Sequence, residues 1–115
     1  MRLASGNGFF TAATINVGAA ATISVTAETT DPLLPMTLSL CQTDPATSAC
    51  INPSTPAAGP ITVEIAEEAT PTFAVFANAT APITLDPANR RVVLRFRDEL
   101  GEVRGATSVA VEYEP

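Results

Sequence analysis

The chain has no histidine, no lysine, no tryptophan and a single tyrosine. Without histidine it lacks the commonest general base near neutral pH and the commonest transition-metal ligand. The same absence removes a Ser–His nucleophile pair, and no G-x-S-x-G turn is present. Without lysine, the six positive charges are all arginine, set against twelve carboxylates for a net charge of −6. No basic field meets a phosphate array, so neither nucleic acid nor an anionic membrane surface is an expected partner. No run approaches the roughly eighteen apolar residues a membrane helix needs, and no membrane insertion is expected. Two cysteines without histidine are too few ligands for a tetrahedral zinc site, and their spacing is not C-x-x-C. No glycine-rich phosphate loop is present either. The expectation is a protein that is not an enzyme, with no cofactor and no metal.

What is present is small and apolar. Of 115 residues 46% are apolar but only 5% aromatic, because 20 alanines and 16 threonines supply much of the chain. The length suits one domain, which could bury roughly two-thirds of its unfolded surface. Met1 and Arg2 are not followed by an apolar signal core, so the chain reads as a mature or excised piece. Residues 1–8, ending in Gly6-Asn7-Gly8, read as a flexible linker, and residues 9–115 as a single domain.

Period-two alternation dominates that domain, which is the pattern of half-buried strands. Phe9, Thr11, Ala13, Ile15 and Val17 alternate with Phe10, Ala12, Thr14 and Asn16 until Gly18 breaks the run. Ala21, Ile23, Val25 and Ala27 form one face of the next strand; Met36, Leu38 and Leu40 form one face of the third. On that parity Cys41 points away from the Met36-Leu38-Leu40 face. Asn52 to Pro60 is too proline-rich for regular structure and reads as a loop. Ile61, Val63 and Ile65 follow, then Phe73, Val75 and Ala77, with Phe76 on the opposite face and therefore at an edge or beneath a loop. Val92, Leu94 and Phe96 alternate with Arg91, Val93, Arg95 and Arg97. The last strand carries Gly105, Thr107, Val109, Val111 and Tyr113 on one parity. Pairing Phe96 with Gly105, Leu94 with Thr107 and Val92 with Val109 keeps the apolar faces together, and sets Arg97 opposite Arg104. The best helix candidate, Ala66 to Thr70, is barely one turn. About seven strands, ten prolines and no substantial helix predict an all-β, immunoglobulin-like antiparallel β-sandwich.

Cys41 and Cys50 flank a short polar turn. A disulfide there would be a peripheral clasp on one loop, worth about 2.5–3 kcal/mol in the chain-entropy model. It would place the protein in an oxidising compartment, secreted or at a cell surface. The alternative is a pair of free thiols on either side of a loop in a cytosolic protein.

The segments Leu38-Ser39-Leu40-Cys41-Gln42-Thr43-Asp44-Pro45-Ala46-Thr47, Pro71-Thr72-Phe73, Asp86-Pro87-Ala88-Asn89-Arg90-Arg91-Val92 and Arg104-Gly105-Ala106-Thr107-Ser108-Val109-Ala110-Val111 together resemble an uncharacterised immunoglobulin-like repeat. That repeat occurs in large bacterial extracellular and cell-surface proteins, and the likeness runs from about Gly8 onward. It implies a secreted sandwich module embedded in longer chains, and it defines no functional residues.

The chemistry on offer is thin. Asp98, Glu99 and Glu102 cluster at the last turn, and a hydrolase built on Asp98 and Glu102 is the least favoured reading, since the turn offers neither cleft nor aromatic platform. The cluster matches no calcium loop, and neither do Asp31, Asp44 and Asp86; no motif supports calcium or a glycan as ligand. Arg91, Arg95 and Arg97 form a positive stripe on one strand, suited to an acidic surface or to cross-strand pairing with neighbouring glutamates. The favoured function is a non-enzymatic structural or interaction module (spacer, stalk or fibre subunit) contacting adjacent copies or domains of the same protein, homopolymers among them. Phe9, Phe10 and the three arginines are its candidate contacts. The alternative is a carbohydrate- or protein-binding adhesin module acting through its loops.

Overall fold

A computed structural model describes residues 1–14 and 19–115. The expected strand positions Ile15, Asn16 and Val17, and the break at Gly18, lie outside the described residues. Among the described residues there are eight strands: β1 (Asn7–Ala13), β2 (Ala21–Thr29), β3 (Met36–Thr43), β4 (Cys50–Ala57), β5 (Ile61–Ile65), β6 (Thr72–Ala79), β7 (Arg91–Arg97) and β8 (Val103–Ala110). They form two four-stranded antiparallel sheets, ordered β1-β6-β3-β4 and β5-β2-β7-β8. Ala66–Thr70 is a turn closed by the Ala69 amide on the Ala66 carbonyl, with no helix.

The alternating apolar positions face each other between the sheets. Val25, Leu40, Phe73, Val75, Val92 and Leu94 have essentially no exposed surface, each contributing about 1.5–3 kcal/mol by burial. Phe73 of one sheet meets Phe96 of the other edge-on, with ring centroids 5.3 Å apart.

The eighth strand is the segment expected to be a loop. β4 holds Pro53 and Pro56, yet it is the outermost strand of its sheet and needs to bond on one side only. Proline is tolerated there because the missing N–H faces outward or falls at a bulge. The ladder is correspondingly irregular: the chain advances from Asn52 to Ala57 while its partner moves only from Gln42 to Leu40. Gly59 then turns toward the second sheet at φ +89°, where a Cβ would lie 2.9 Å from the Leu40 Cδ2.

Residues 1–8 do not behave as a linker. Leu3 is 3% exposed and belongs to the core. Its amide donates to the Glu112 carbonyl, and the Glu112 amide donates to the Met1 carbonyl, pairing the two segments in parallel. Ala4 and Asn7 then exchange both backbone hydrogen bonds across a tight turn, with Ser5 and Gly6 at positive φ. Leu3 and the half-buried Met1, split by the exposed Arg2, are too short a stretch to show a periodicity, and their partner lies more than a hundred residues away.

The β7–β8 hairpin keeps the expected partners Val92/Val109, Leu94/Thr107 and Phe96/Gly105. Beyond Phe96 the register slips by one and Arg97 faces Val103, not Arg104. The slip follows from the turn: Gly101 adopts φ +82°, its amide bonds to the Asp98 carbonyl, and Asp98 closes on Glu102. That is a three-residue hairpin loop with glycine at the left-handed position. The two arginines are thereby kept from facing each other.

Candidate interaction surface

Cys41 and Cys50 are bonded, with Cα atoms 5.6 Å apart. The bridge ties β3 to its neighbour β4 inside one sheet, so it does not span the core. Cys41 is nevertheless fully buried, where a peripheral clasp was expected. It sits opposite Ala74 of β6 on the outer face, between two strands, and the sulfur of Cys50 lies against it. One step further along that face, the Thr43 and Thr72 hydroxyls are 2.7 Å apart, which satisfies the buried Thr43. Disulfides form and persist in oxidising compartments, and this one is consistent with an extracellular location.

The two candidate phenylalanines separate. Phe10 points between the sheets and packs against the core. Phe9 is 65% exposed and lies across from Phe76 on the outer face, ring centroids 6.2 Å apart. Phe76 was expected at an edge or under a loop. Instead β6 is an inner strand, and Phe76 stands on its open outer face at 36% exposure. The result is an aromatic pair beside the free edge of β1.

The arginine stripe is largely spent within the molecule. Arg95 and Arg97 both bind the Glu28 carboxylate, the latter at 3.2 Å, and Thr26 donates to it at 3.0 Å. Partial burial pushes the Glu28 carboxyl upward, but the Thr26 and Arg97 hydrogen bonds and the charges of Arg95 and Arg97 outweigh it and hold it below its ordinary value. Arg91 donates to the Ser108 hydroxyl and carbonyl and to the Pro87 carbonyl. Of the two expected uses of the stripe, cross-strand pairing with a neighbouring glutamate is the one present for Arg95 and Arg97, while Arg91 is hydrogen-bonded in place.

The Asp98 cluster is a turn device. The Asp98 Oδ1 accepts from the amides of Leu100 and Glu102, and Oδ2 accepts from Arg104 Nε at 2.8 Å. Desolvation acts to raise its pKa, while the Glu102 amide, Arg104 and the Leu100 amide lower it further, for a net downward shift. Asp31 and Asp44 each accept a backbone amide two residues on, and Asp86 accepts from the Asn89 side chain. Among the described residues, no three acidic, cysteine or histidine side chains converge on a point. An open depression of about 450 Å³ is lined by Ala20, Thr22, Glu64 and Glu99 among others, with no aromatic wall. Among the exposed loop leucines, Leu33 in the β2–β3 loop and Leu85 in the β6–β7 connection lie at one end of the sandwich, and Leu100 in the β7–β8 turn lies at the other.

Together these features define an immunoglobulin-like β-sandwich module whose open features are sheet edges and outer faces. No family model matches the chain, and no curated protein matches it. Among solved structures, the N-terminal domain of PorA is 11% identical, with 95% of this chain and 78% of that chain aligned at a TM-score of 0.51. SSP-19, an MSP-domain protein like family member of Caenorhabditis elegans, is 10% identical over 99% of this chain and 92% of that one, TM-score 0.47. WR4, an MSP family member of C. elegans, is 7% identical over 98% and 90%, TM-score 0.47. At such identities the likeness to the PorA domain is one of fold, and the resemblance to the bacterial repeat rests on the sandwich class without a family assignment.

Proposed function

We propose that this chain is a non-enzymatic extracellular module of a bacterial surface protein that contacts adjacent copies of itself through an edge strand. The observation that carries the reading is the open edge of β1 with the Phe9–Phe76 pair exposed beside it. An exposed strand edge next to apolar side chains is a template for pairing with another chain, and soluble proteins ordinarily blunt it. The disulfide supports the compartment.

Sedimentation equilibrium of the purified chain from micromolar to millimolar concentration tests the reading. Reversible, concentration-dependent association is expected, weakened by Phe9→Asp. A strict monomer throughout that range would overturn it.

A further inference from the structure

The direction of every backbone group on β1 can be read from its neighbours. The Ala79 amide donates to the Gly6 carbonyl, and the Thr14 amide to the Pro71 carbonyl. In an antiparallel ladder the bonded residues alternate, and the register Gly8/Ala77, Phe10/Val75, Ala12/Phe73 continues the same set. The even-numbered residues therefore bond to β6, and the odd-numbered ones turn their N–H and C=O groups outward. Asn7 confirms the phase, since its outward groups are the ones taken by Ala4. Among the described residues nothing takes those of Phe9, Thr11 and Ala13, because β1 has no neighbour beyond β6.

The other three edges are blunted. β4 carries two prolines and a broken register. β5 is only five residues long and carries the exposed Glu64. β8 is interrupted by the register slip beside the charged Arg104. β1, with the sequence NGFFTAA, has no proline, no charge and no bulge.

The geometry points to a two-fold symmetric contact in which β1 pairs antiparallel with β1 of a second copy, with Thr11 on the axis. This rests on the module reading above and specifies its contact. Ala4 closes the edge at Asn7, so only Phe9, Thr11 and Ala13 can bond outward, and the one register that uses all three sets Phe9 against the partner's Ala13. Thr11 then meets the partner's Thr11. Each exposed phenylalanine lies opposite a small residue on the same outer face, which leaves room for its ring across the seam, flanked by Phe76. The absence of charge on β1 matters because the two-fold axis sets the central residue against its own copy, so a charge there would meet its like. The two four-stranded sheets become one continuous sheet of eight strands.

A seam of so few residues buries less than the roughly 1,000 Å² of a free-standing dimer. Association of isolated modules is accordingly weak, and becomes effective where copies are held close, since tethering supplies local concentrations in the millimolar range.

Thr11→Pro and Thr11→Lys test the seam by sedimentation equilibrium of the full chain, with circular dichroism melts confirming that each folds. The Thr11 N–H faces outward, so proline there removes a seam donor without removing a β1–β6 hydrogen bond. Lysine places two like charges on the axis. Each variant is expected to weaken association at least tenfold. Thr11→Cys, the only free thiol beside the intact disulfide, is expected to yield dimer with a short bismaleimide, whereas Thr62→Cys on the opposite sheet is not. Association that persists unchanged in both Thr11 variants, or equal cross-linking through position 62, overturns this seam and leaves the module reading standing. A native protein that stays monomeric to millimolar concentration overturns both.

Discussion

Truncating Leu3 to alanine tests whether the N-terminal segment is part of the folded unit. The Leu3 side chain is 3% exposed within the core cluster and presses against Gly8, where even an added Cβ would collide with its Cδ2. Leu→Ala removes three carbons, about 2.4 kcal/mol at about 0.8 kcal/mol per methylene. The residual cavity adds to this, giving a usual range of about 2–5 kcal/mol. Because the segment is held by a few backbone bonds near Glu112, it can detach instead of leaving a void, which caps the loss near the low end, about 2–3 kcal/mol. In urea, with a slope of about 1–3 kcal/mol/M for a protein of this size, the unfolding midpoint falls by about 1–2 M. Leu33→Ala, at a residue 87% exposed, is the control and shifts it by little. If Leu3→Ala unfolds within about 0.5 kcal/mol of the native protein, as the control does, the segment is no core element and the packing argument fails. Gly8→Ala is the complementary perturbation and should lose stability in the same direction by expelling Leu3.

Reducing the Cys41–Cys50 bridge should cost about 2.5–3 kcal/mol from the short loop it closes, read as a lower melting temperature with reductant; an unchanged melt would deny it a stabilising role. Gly59→Ala places a side chain at φ +89° and 2.9 Å from Leu40 and should destabilise by about 1–2 kcal/mol in the same assay. Glu28→Gln should lose about 0.5–1 kcal/mol at neutral pH and low salt, discounted for the third or more of the carboxylate that stays in water. The folded-state pKa of Glu28 lies below its ordinary value, so its contribution is complete above the unfolded value and fades as pH falls through the folded one. The gap between native and Glu28→Gln melts should therefore close on acidification, and a gap that widened would reverse the sign of the reasoning.

The alternating strands β1, β2, β3, β5, β6, β7 and β8 were legible because one buried face writes a period of two into the sequence. So was most of the last hairpin, since a slipped register would have turned Leu94 and Phe96 to water. β4 was not, because proline reads as a breaker everywhere, and only its place at the end of a sheet makes it tolerable. Of the candidate contacts, Phe9 and Phe10 were adjacent and indistinguishable in composition. Alternation required them to part, but nothing local said which one faced the core. The arginine stripe was visible as a period of two; its engagement by Glu28 was not, because that partner lies on a strand more than sixty residues away.

The sequence alone determined the class of the protein: all-β, sandwich-forming, acidic and poor in catalytic side chains. These follow from local periodicity and composition, which each stretch of chain carries by itself. The tertiary structure decided the edges. Which strands end a sheet, which edges are blocked, that Leu3 plugs the core beside Glu112 and that β1 stays open depend on pairings between residues far apart in the chain, and no single segment encodes them. For a protein whose function is argued from an exposed edge, that is where the two kinds of information divide.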